Sequence, residues 1–152
     1  MEVKELGHIV LYVRDIERSA SFYGDVLGWR RLEMPGDGPL GRVPVALFSS
    51  GRTHHELLLI EVGEDAQPQP QARHLGLYHF GLKVGDSDDE LRAALRTCQE
   101  RGVRIVGLSD HTVSHSLYIE DPDGNEIELY VDVPGVTWDA AHVMAPVKAL
   151  AL

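Results

Sequence analysis

Short stretches in which apolar and polar residues alternate recur along this chain of 152 residues, a pattern typical of β-strands with one buried face. In the first part of the chain they predict strands over residues 6–13, 29–33, 43–50 and 53–62. Apolar residues at helical spacing predict a helix over 16–27, with Asp15 as its N-cap and Gly28 at its end. The stretch 34–42 is rich in Gly and Pro and is a predicted loop.

The same order of elements recurs in the second part of the chain. Asp86 or Ser87 is the expected cap of a helix that runs to about Arg101 and ends at Gly102. Strands are predicted over 77–84, 103–108, 113–120 and 126–131. The chain is therefore a βαβββ unit written twice, of the α+β class. Within one structural domain we expect a first module over 1–62, a linker over 63–75, a second module over 76–132 and a tail over 133–152.

The last predicted strand of the second module follows a tight turn. Asp121 and Pro122 open the turn, and Gly124 can adopt the positive φ that such turns need. Alternation then places Ile127 on one face of the strand and Glu128 on the other. A carboxylate on a half-buried strand is costly unless a cation meets it, so the strand raises the question of what Glu128 binds.

Histidines and glutamates recur at matching positions of the two modules. His8 precedes Asp15 by seven residues (15 − 8), and His79 precedes Asp86 by seven (86 − 79). A glutamate follows each histidine at a similar distance, 48 residues for Glu56 (56 − 8) and 49 for Glu128 (128 − 79). If both sheets curl the same way, His8, His79 and Glu128 project into one shared hollow. Two imidazoles and one carboxylate are the set that holds Fe(II) with open positions, and Glu56 would add a fourth ligand.

Composition and charge narrow the classes of function. The formal charge of −10 argues against nucleic acid or an anionic membrane as a partner, and no apolar run reaches membrane-spanning length. The single cysteine, Cys98, excludes an internal disulfide, and its helical context predicts packing. The start of the chain does not resemble a signal peptide, so we expect a cytoplasmic protein. The apolar tail is expected to pack on the domain or on a second subunit.

Four motifs carry a resemblance to a known family: GHIVLYVRD at 7–15, FYGDVLG at 22–28, YHF at 78–80, and DPDGN at 121–125 followed by Glu128. Together they resemble the vicinal oxygen chelate superfamily, which includes glyoxalase I, bleomycin and fosfomycin resistance proteins, methylmalonyl-CoA epimerase and extradiol dioxygenases. The resemblance implies paired βαβββ modules that form a cupped, half-barrel mixed sheet around a divalent metal, with the helices outside. It assigns His8, His79 and Glu128 as the metal ligands.

Within the superfamily, the chain resembles the catechol 2,3-dioxygenase-like branch. THHEL at 53–57 is similar to its double-histidine strand, and SDHTVS at 109–114 to its histidine-bearing segment. The resemblance implies His55, His111 and Tyr118 as catalytic residues, Fe(II) as the metal, and a small aromatic substrate with vicinal oxygens. His111 precedes Tyr118 by only seven residues (118 − 111), which leaves His115 as an alternative. Extradiol dioxygenases of this lineage have two such paired units, whereas this chain has one.

Two other functions remain open at this point. An isomerase of the glyoxalase or epimerase type would use Glu56 and Glu128 as ligand and base, with Ni, Zn or Co as the metal. A metal-free module would bind a drug or metabolite in the same hollow. Whether Glu56 or His55 faces the metal is not decided by alternation, because residues 57–60 are apolar on both faces. We also expect a homodimer, because a single pair of modules leaves sheet edges that a second subunit can cover.

Overall fold

The computed structural model describes residues 1–33, 40–70, 73 and 75–152. Most of the predicted Gly- and Pro-rich loop, residues 34–39, lies outside the described residues, as do residues 71, 72 and 74 of the predicted linker. The chain divides into two compact units, Met1–Pro68 and Gln69–Leu152. Within the described residues, no helix is both long enough and apolar enough to cross a membrane.

The first unit has the predicted βαβββ order. Its elements are β1 (Ile9–Val13), α1 (Ile16–Ser21), a π-helical turn (Phe22–Val26), β2 (Arg30–Leu32), β3 (Val45–Ser49) and β4 (Leu57–Glu61). The strands form a four-stranded mixed sheet in the order β1-β4-β3-β2, in which β1 and β4 are parallel and the other pairs antiparallel. The carboxylate of Asp15 accepts a hydrogen bond from the backbone N–H of Arg18 (2.8 Å), so the predicted N-cap is confirmed.

The second unit repeats this order and adds the tail. Its elements are β5 (His79–Gly85), α2 (Asp88–Glu100), β6 (Ile105–Asp110), β7 (Ser114–Glu120), β8 (Glu126–Asp132), α3 (Ala140–Val143) and β9 (Lys148–Ala149). They form a five-stranded mixed sheet in the order β5-β8-β7-β6-β9. The tail thus packs on the second unit, where β9 pairs with the edge strand β6. The α+β class and the repeated βαβββ order are confirmed.

One face of each sheet is covered by a helix. In the second unit α2 packs on β5, β7 and β8, and the strand residues of that face are buried: Phe80, Leu117, Ile119, Ile127, Leu129 and Val131. Leu91 and Cys98, seven residues apart on α2, are also buried, which agrees with a packing role for the cysteine. Burial raises the pKa of the Cys98 thiol. The opposite sheet face, which carries Ser116, Tyr118 and Glu128, is therefore the face available for chemistry.

The stretch before β4 differs from the prediction. A strand was expected over 53–62, but β4 begins only at Leu57, and residues 50–56 form a loop. Side chains hold this loop: the Ser49 hydroxyl donates to the carbonyl of Thr53 (2.7 Å), and the Glu56 carboxylate accepts from the backbone N–H of Ser50 (2.6 Å). Such side-chain bonds compete with a strand ladder. The double histidine at 54 and 55 therefore lies in a loop, where strand alternation does not apply.

Asp121 organises the turn that leads into β8. Its carboxylate is 5% exposed and accepts hydrogen bonds from the backbone N–H groups of Asp123 (2.9 Å) and Asn125 (2.8 Å) and from the Asn125 side chain (2.8 Å). Gly124 has the expected positive φ of 88°. This turn sets where β8 begins and hence which residues lie opposite β5 and β7.

Replacing Asp121 by alanine is expected to destabilise the fold. The change leaves two partly buried N–H groups without an acceptor, which costs about 1–3 kcal/mol and lowers Tm by roughly 2–12 °C. Thermal unfolding followed by circular dichroism measures the shift. Asp65→Ala, at an exposed position, is the control and is expected to leave Tm within about 1 °C of wild type. Equal Tm values for the two variants would contradict the role assigned to this turn.

Candidate functional site

A cluster of polar side chains lies on the open face of the second sheet. The first residue of β5, His79, is close to two carboxylates of β8: its Nδ1 is 3.5 Å from Oε1 of Glu126, and its Nε2 is 3.3 Å from Oε2 of Glu128. All three side chains are largely buried, with 27%, 16% and 18% of their surface exposed. The Nδ1 atom of His79 is buried and makes no hydrogen bond, although the carboxylate of Glu126 is within ion-pair distance.

The two oxygens of Glu128 have different surroundings. Oε1 accepts hydrogen bonds from the hydroxyl of Ser116 (2.6 Å) and from the hydroxyl of Tyr118 (3.1 Å), both on β7. Oε2 is the oxygen that faces His79. The arrangement follows from the register, in which Tyr118 lies directly opposite Glu128 and Ser116 lies opposite Tyr130. The carboxylate is thus held by two donors on one side and open toward the histidine on the other.

His111 joins this cluster through Tyr118. Its Nε2 lies 2.8 Å from the hydroxyl of Tyr118 and 3.8 Å from Oε1 of Glu128. Burial, the nearby charge of Glu128 and the hydrogen bond to it raise the pKa of Tyr118, so the phenol keeps its proton at neutral pH. The turn after His111 contains Thr112 at φ 71°, an uncommon value for a β-branched residue. His111 and Tyr118, separated in the sequence, are therefore brought together.

His115, the alternative to His111, lies elsewhere. It differs from Ser116 and Tyr118 by an odd number of residues along β7, so its side chain is on the face that carries α2. There its Nδ1 is 2.6 Å from Oδ1 of Asp88. The proposed shift of the histidine role to His115 is therefore wrong, and the alternation of β7 is the physical reason.

Three histidines lie together in the first unit. The ring of His8, just before β1, is 4.7 Å from the ring of His55, and the rings of His54 and His55 are 4.5 Å apart. The Nδ1 atoms of His54 and His55 are separated by 2.6 Å, so one donates to the other. Burial, together with the two neighbouring imidazoles, lowers the pKa of His55. His55 is therefore neutral near pH 7 and lies beside His8.

The carboxylate of Glu56 is engaged by other partners. It accepts hydrogen bonds from the backbone N–H of Ser50 (2.6 Å), the Ser50 hydroxyl (2.9 Å) and Nε of Arg52 (2.9 Å). Burial alone would raise the pKa of Glu56, but these bonds together hold it below its usual value. Arg52 also pairs with Glu5 (2.9 Å) and donates to the carbonyl of Leu6 (3.3 Å). Glu56 thus fixes, through Arg52, the segment that leads to His8.

Strand pairing in the two units differs from the spacing of their histidine–glutamate pairs, which is 48 residues in the first unit and 49 in the second. In the first unit Ile9 lies opposite Leu57, an offset of 48 residues (57 − 9), whereas in the second His79 lies opposite Glu126, an offset of 47 (126 − 79). The residue opposite Glu128 is therefore Gly81. His79 still shares the face of Glu128, because it lies two positions before Gly81 on the same strand. Spacing along the chain does not give the strand register, because it also counts loop residues.

Gly81 keeps the space beside Glu128 open. A Cβ atom at this position would lie 3.3 Å from the ring of Tyr130 and 3.6 Å from Oε2 of Glu128. The first distance is tighter than ordinary van der Waals contact, so the neighbouring ring would have to move. A glycine opposite the carboxylate therefore leaves room at the one oxygen that faces His79.

Replacing Gly81 by alanine is expected to weaken binding of a divalent metal about 10-fold, a cost typical of changes next to a metal ligand. The added methyl crowds Oε2 of Glu128 and displaces Tyr130. Gly107→Ala on β6 is the matched control, because a Cβ there meets nothing within 4 Å. Competition with a chelating dye measures both affinities. Equal affinity of the two variants would show that the space at Gly81 has no part in binding.

The donor set of this cluster fits a divalent cation. Two ligand atoms about 2.1 Å from one ion, at a bond angle of about 90–109°, are roughly 3.0–3.4 Å apart, and Nε2 of His79 and Oε2 of Glu128 are 3.3 Å apart. Glu126, next to Nδ1 of His79, is where a carboxylate partner of a ligating histidine is expected. Among the described residues, no group of three His, Cys, Asp or Glu side chains could hold a metal by itself. Within the described part of the second unit, one imidazole nitrogen and one carboxylate oxygen thus have the spacing that two ligands of one ion would have.

Several residues of this cluster were not predicted from the sequence. Ser116, Glu126 and Gly81 carry no motif of their own. Ser116 could have been found from strand alternation, because it lies two residues before Tyr118 and so on the same face. The role of Gly81 depends on the β5–β8 register. In the first unit, the role of Arg52 depends on contacts with residues 45–47 positions away in the chain. Neither leaves a local signal in the sequence.

Comparison with known proteins agrees with this architecture. A family model described as Glyoxalase/Bleomycin resistance protein/Dioxygenase superfamily matches residues 5–129. The chain is 38% identical to a catechol-2,3-dioxygenase of Bacillus subtilis (strain 168) over 144 residues, which are 90% of this chain and 45% of that protein. It is 32% identical to a lactoylglutathione lyase of Neisseria meningitidis serogroup B over 127 residues, 82% of this chain and 88% of that protein.

A solved structure shows the same fold. It is a glyoxalase/dioxygenase from Nostoc punctiforme, with a TM-score of 0.68 and 26% identity over 86% of this chain and 92% of that one. The chain spans less than half the length of the first curated dioxygenases that it matches, 45% and 39% of two of them. The family match covers most of the chain and confirms the resemblance seen in its motifs. The chain belongs to the Glyoxalase/Bleomycin resistance protein/Dioxygenase superfamily.

Proposed function

We propose that this protein is a metal-dependent enzyme of the extradiol dioxygenase type, which opens the ring of a small catechol-type molecule with O₂. The relative named catechol-2,3-dioxygenase, at 38% identity over 90% of this chain, supports the proposal. The chain spans 45% of the length of that relative.

The surroundings of Glu56 are the observation that carries the proposal. Its carboxylate is taken up by Ser50 and Arg52, while the ring of His55 lies 4.7 Å from the ring of His8. A site with two carboxylate ligands, as in the isomerase alternative, would have to share or replace these hydrogen bonds. A site with two histidines and one carboxylate does not, and that set suits Fe(II) with open positions.

The proposed ligands are His79 and Glu128, with His8 added by the family resemblance. Fe(II) is the favoured ion, and Ni, Zn, Co and Mn are the alternatives. When bound, such an ion supplies open positions for two vicinal oxygens and for O₂. The residues of this chain have to bind the ion, exclude other donors and move protons.

Proton transfer is assigned to Tyr118, His111 and His55. A catechol must lose protons to bind through both oxygens, and a nearby imidazole can accept one. The Tyr118 hydroxyl keeps its proton at neutral pH and can donate a hydrogen bond to an anionic oxygen. His111, 2.8 Å from that hydroxyl, holds the phenol in place and can exchange a proton with it.

The test is anaerobic loading with Fe(II), followed by oxygen uptake with catechols and detection of a yellow ring-opened product. We expect one O₂ consumed per catechol, with Glu56→Gln close to wild type and His55→Ala slower by about 10²-fold or more. Glu100→Gln, an exposed change at the end of α2, is the control. No oxygen uptake by iron-loaded protein would refute the dioxygenase function, and no binding of any divalent metal would leave only a binding module.

An isomerase of the glyoxalase type is the second candidate. It is supported by the similarity to the Neisseria meningitidis lactoylglutathione lyase, which is 32% identical over 82% of this chain and 88% of that protein. In this case Ni or Zn binding would require Glu56, and Glu56→Gln would lose the metal. Isomerisation of a glutathione hemithioacetal without oxygen uptake would establish this function over the first.

We also propose a cytoplasmic homodimer. The first strand of each sheet, β1 and β5, is an edge strand, and such edges favour pairing with a second chain. The lone buried cysteine agrees with a reducing compartment. Light scattering at micromolar concentration tests the dimer, and a monomer there would exclude it.

A further inference from the structure

The buried serine of β7 has no part in the function as proposed so far. Ser116 has none of its surface exposed and lies on the same sheet face as Tyr118. Its hydroxyl donates to Oε1 of Glu128 at 2.6 Å, the shorter of the two hydrogen bonds to that oxygen. A hydroxyl buried in this way has lost its contact with water and needs its acceptor.

The two hydrogen bonds make the oxygens of Glu128 inequivalent. A carboxylate oxygen accepts through two lone pairs, and those of Oε1 are directed toward Ser116 and Tyr118. Oε2 is on the side of His79 and of the open space at Gly81. The carboxylate can therefore offer one oxygen to a cation on that side, while the other stays bound to the protein.

We propose that Ser116 is a positioning residue, which holds Oε1 of Glu128 so that Oε2 alone faces a metal bound with His79. The inference rests on the metal site of the proposed function and adds to it the residue that selects the binding oxygen. Without the Ser116 hydroxyl, Tyr118 is left as the donor to Oε1, and the carboxylate can rotate about its last bond. The Glu128 carboxylate then loses this rotational freedom only when the metal binds, and the entropy cost weakens binding.

The experiment compares Ser116→Ala with Ser19→Ala in the full chain, using Co(II) as the probe. Ser19 is the matched control because it is also buried, 0% exposed, but lies on helix α1 of the first unit. Chelator competition measures the Kd for Co(II), and the visible absorption of bound Co(II) reports its coordination. We expect Ser116→Ala to raise Kd about 10–100-fold and to change the spectrum, with Ser19→Ala at wild-type values.

Ser116→Cys provides a second variant in case alanine disturbs the packing. It keeps a side chain of similar shape but donates a much weaker hydrogen bond, so the same rise in Kd is expected. Thermal unfolding of the metal-free variants checks that each is folded.

The outcomes separate this inference from the function on which it rests. Co(II) binding by wild type with an unchanged Kd and spectrum in both Ser116 variants would overturn the role of Ser116 and leave the metal site standing. A rise in Kd that is equally large for Ser19→Ala would also overturn it, because the effect would then be general. No Co(II) binding by wild type would overturn the metal site itself.

Discussion

Glu128→Gln is expected to abolish retention of the metal and to raise its Kd by more than about 100-fold. This effect is larger than the loss of affinity typical of mutating a residue that only contacts a ligand. The variant keeps the shape of the side chain and an amide oxygen that can accept from Ser116 and Tyr118. It replaces the negatively charged Oε2, which faces Nε2 of His79 at 3.3 Å, by a neutral group. The fold is therefore expected to survive while the charged ligand is lost.

Metal analysis after dialysis and oxygen uptake with catechol measure this effect. Glu120→Gln is the matched control, because Glu120 lies on the neighbouring strand β7, has a side chain 22% exposed against 18% for Glu128, and pairs with Arg104. The control is expected to retain metal and activity. Full metal content in Glu128→Gln would contradict the assignment of Glu128 as a ligand.

Tyr118→Phe is expected to lower turnover of the catechol about 10²–10⁴-fold while metal content stays near wild type. The change removes the hydroxyl that donates to Glu128 and contacts His111, but Ser116 continues to donate to the same carboxylate oxygen. The variant therefore loses a proton donor but keeps the metal ligand, so turnover should fall while metal content does not.

The readouts are kcat and the Kd for Co(II), measured on the same preparations. Tyr12→Phe serves as control, since Tyr12 on β1 is 71% exposed and lies outside the carboxylate cluster. A wild-type kcat in Tyr118→Phe would remove tyrosine from the proposed chemistry. If kcat falls only in proportion to the metal that is lost, the role of Tyr118 would instead be to hold Glu128.

Much of this architecture was predictable because the signals are local. Alternation along β7 and β8, the Asp15 cap and the turn at 121–125 each depend on residues a few positions apart, and all four are present in the structure. Local signals fail where side chains compete with a ladder. A strand was predicted from residue 53 onward, but hydrogen bonds of Ser49, Ser50 and Glu56 hold residues 50–56 as a loop.

The candidate site was predictable in its residue types and less so in its geometry. His79, His111, Tyr118 and Glu128, named from motifs, lie within one cluster of the second unit. The sequence does not distinguish Glu56 from Glu128 as a metal ligand, because each glutamate is followed by a leucine. They differ in their neighbours: Arg52 and Ser50 hold Glu56.

The amino-acid sequence by itself determined the repeated βαβββ order, the α+β class and the family, because periodicity, caps and turn residues act over short distances in the chain. Only the tertiary structure decided which oxygen of Glu128 is open, that Gly81 and not His79 lies opposite it, and that His115 packs against α2. Each of these depends on the register between strands and on contacts between distant residues. Such contacts are set by the packing of whole elements, which no short stretch of sequence encodes.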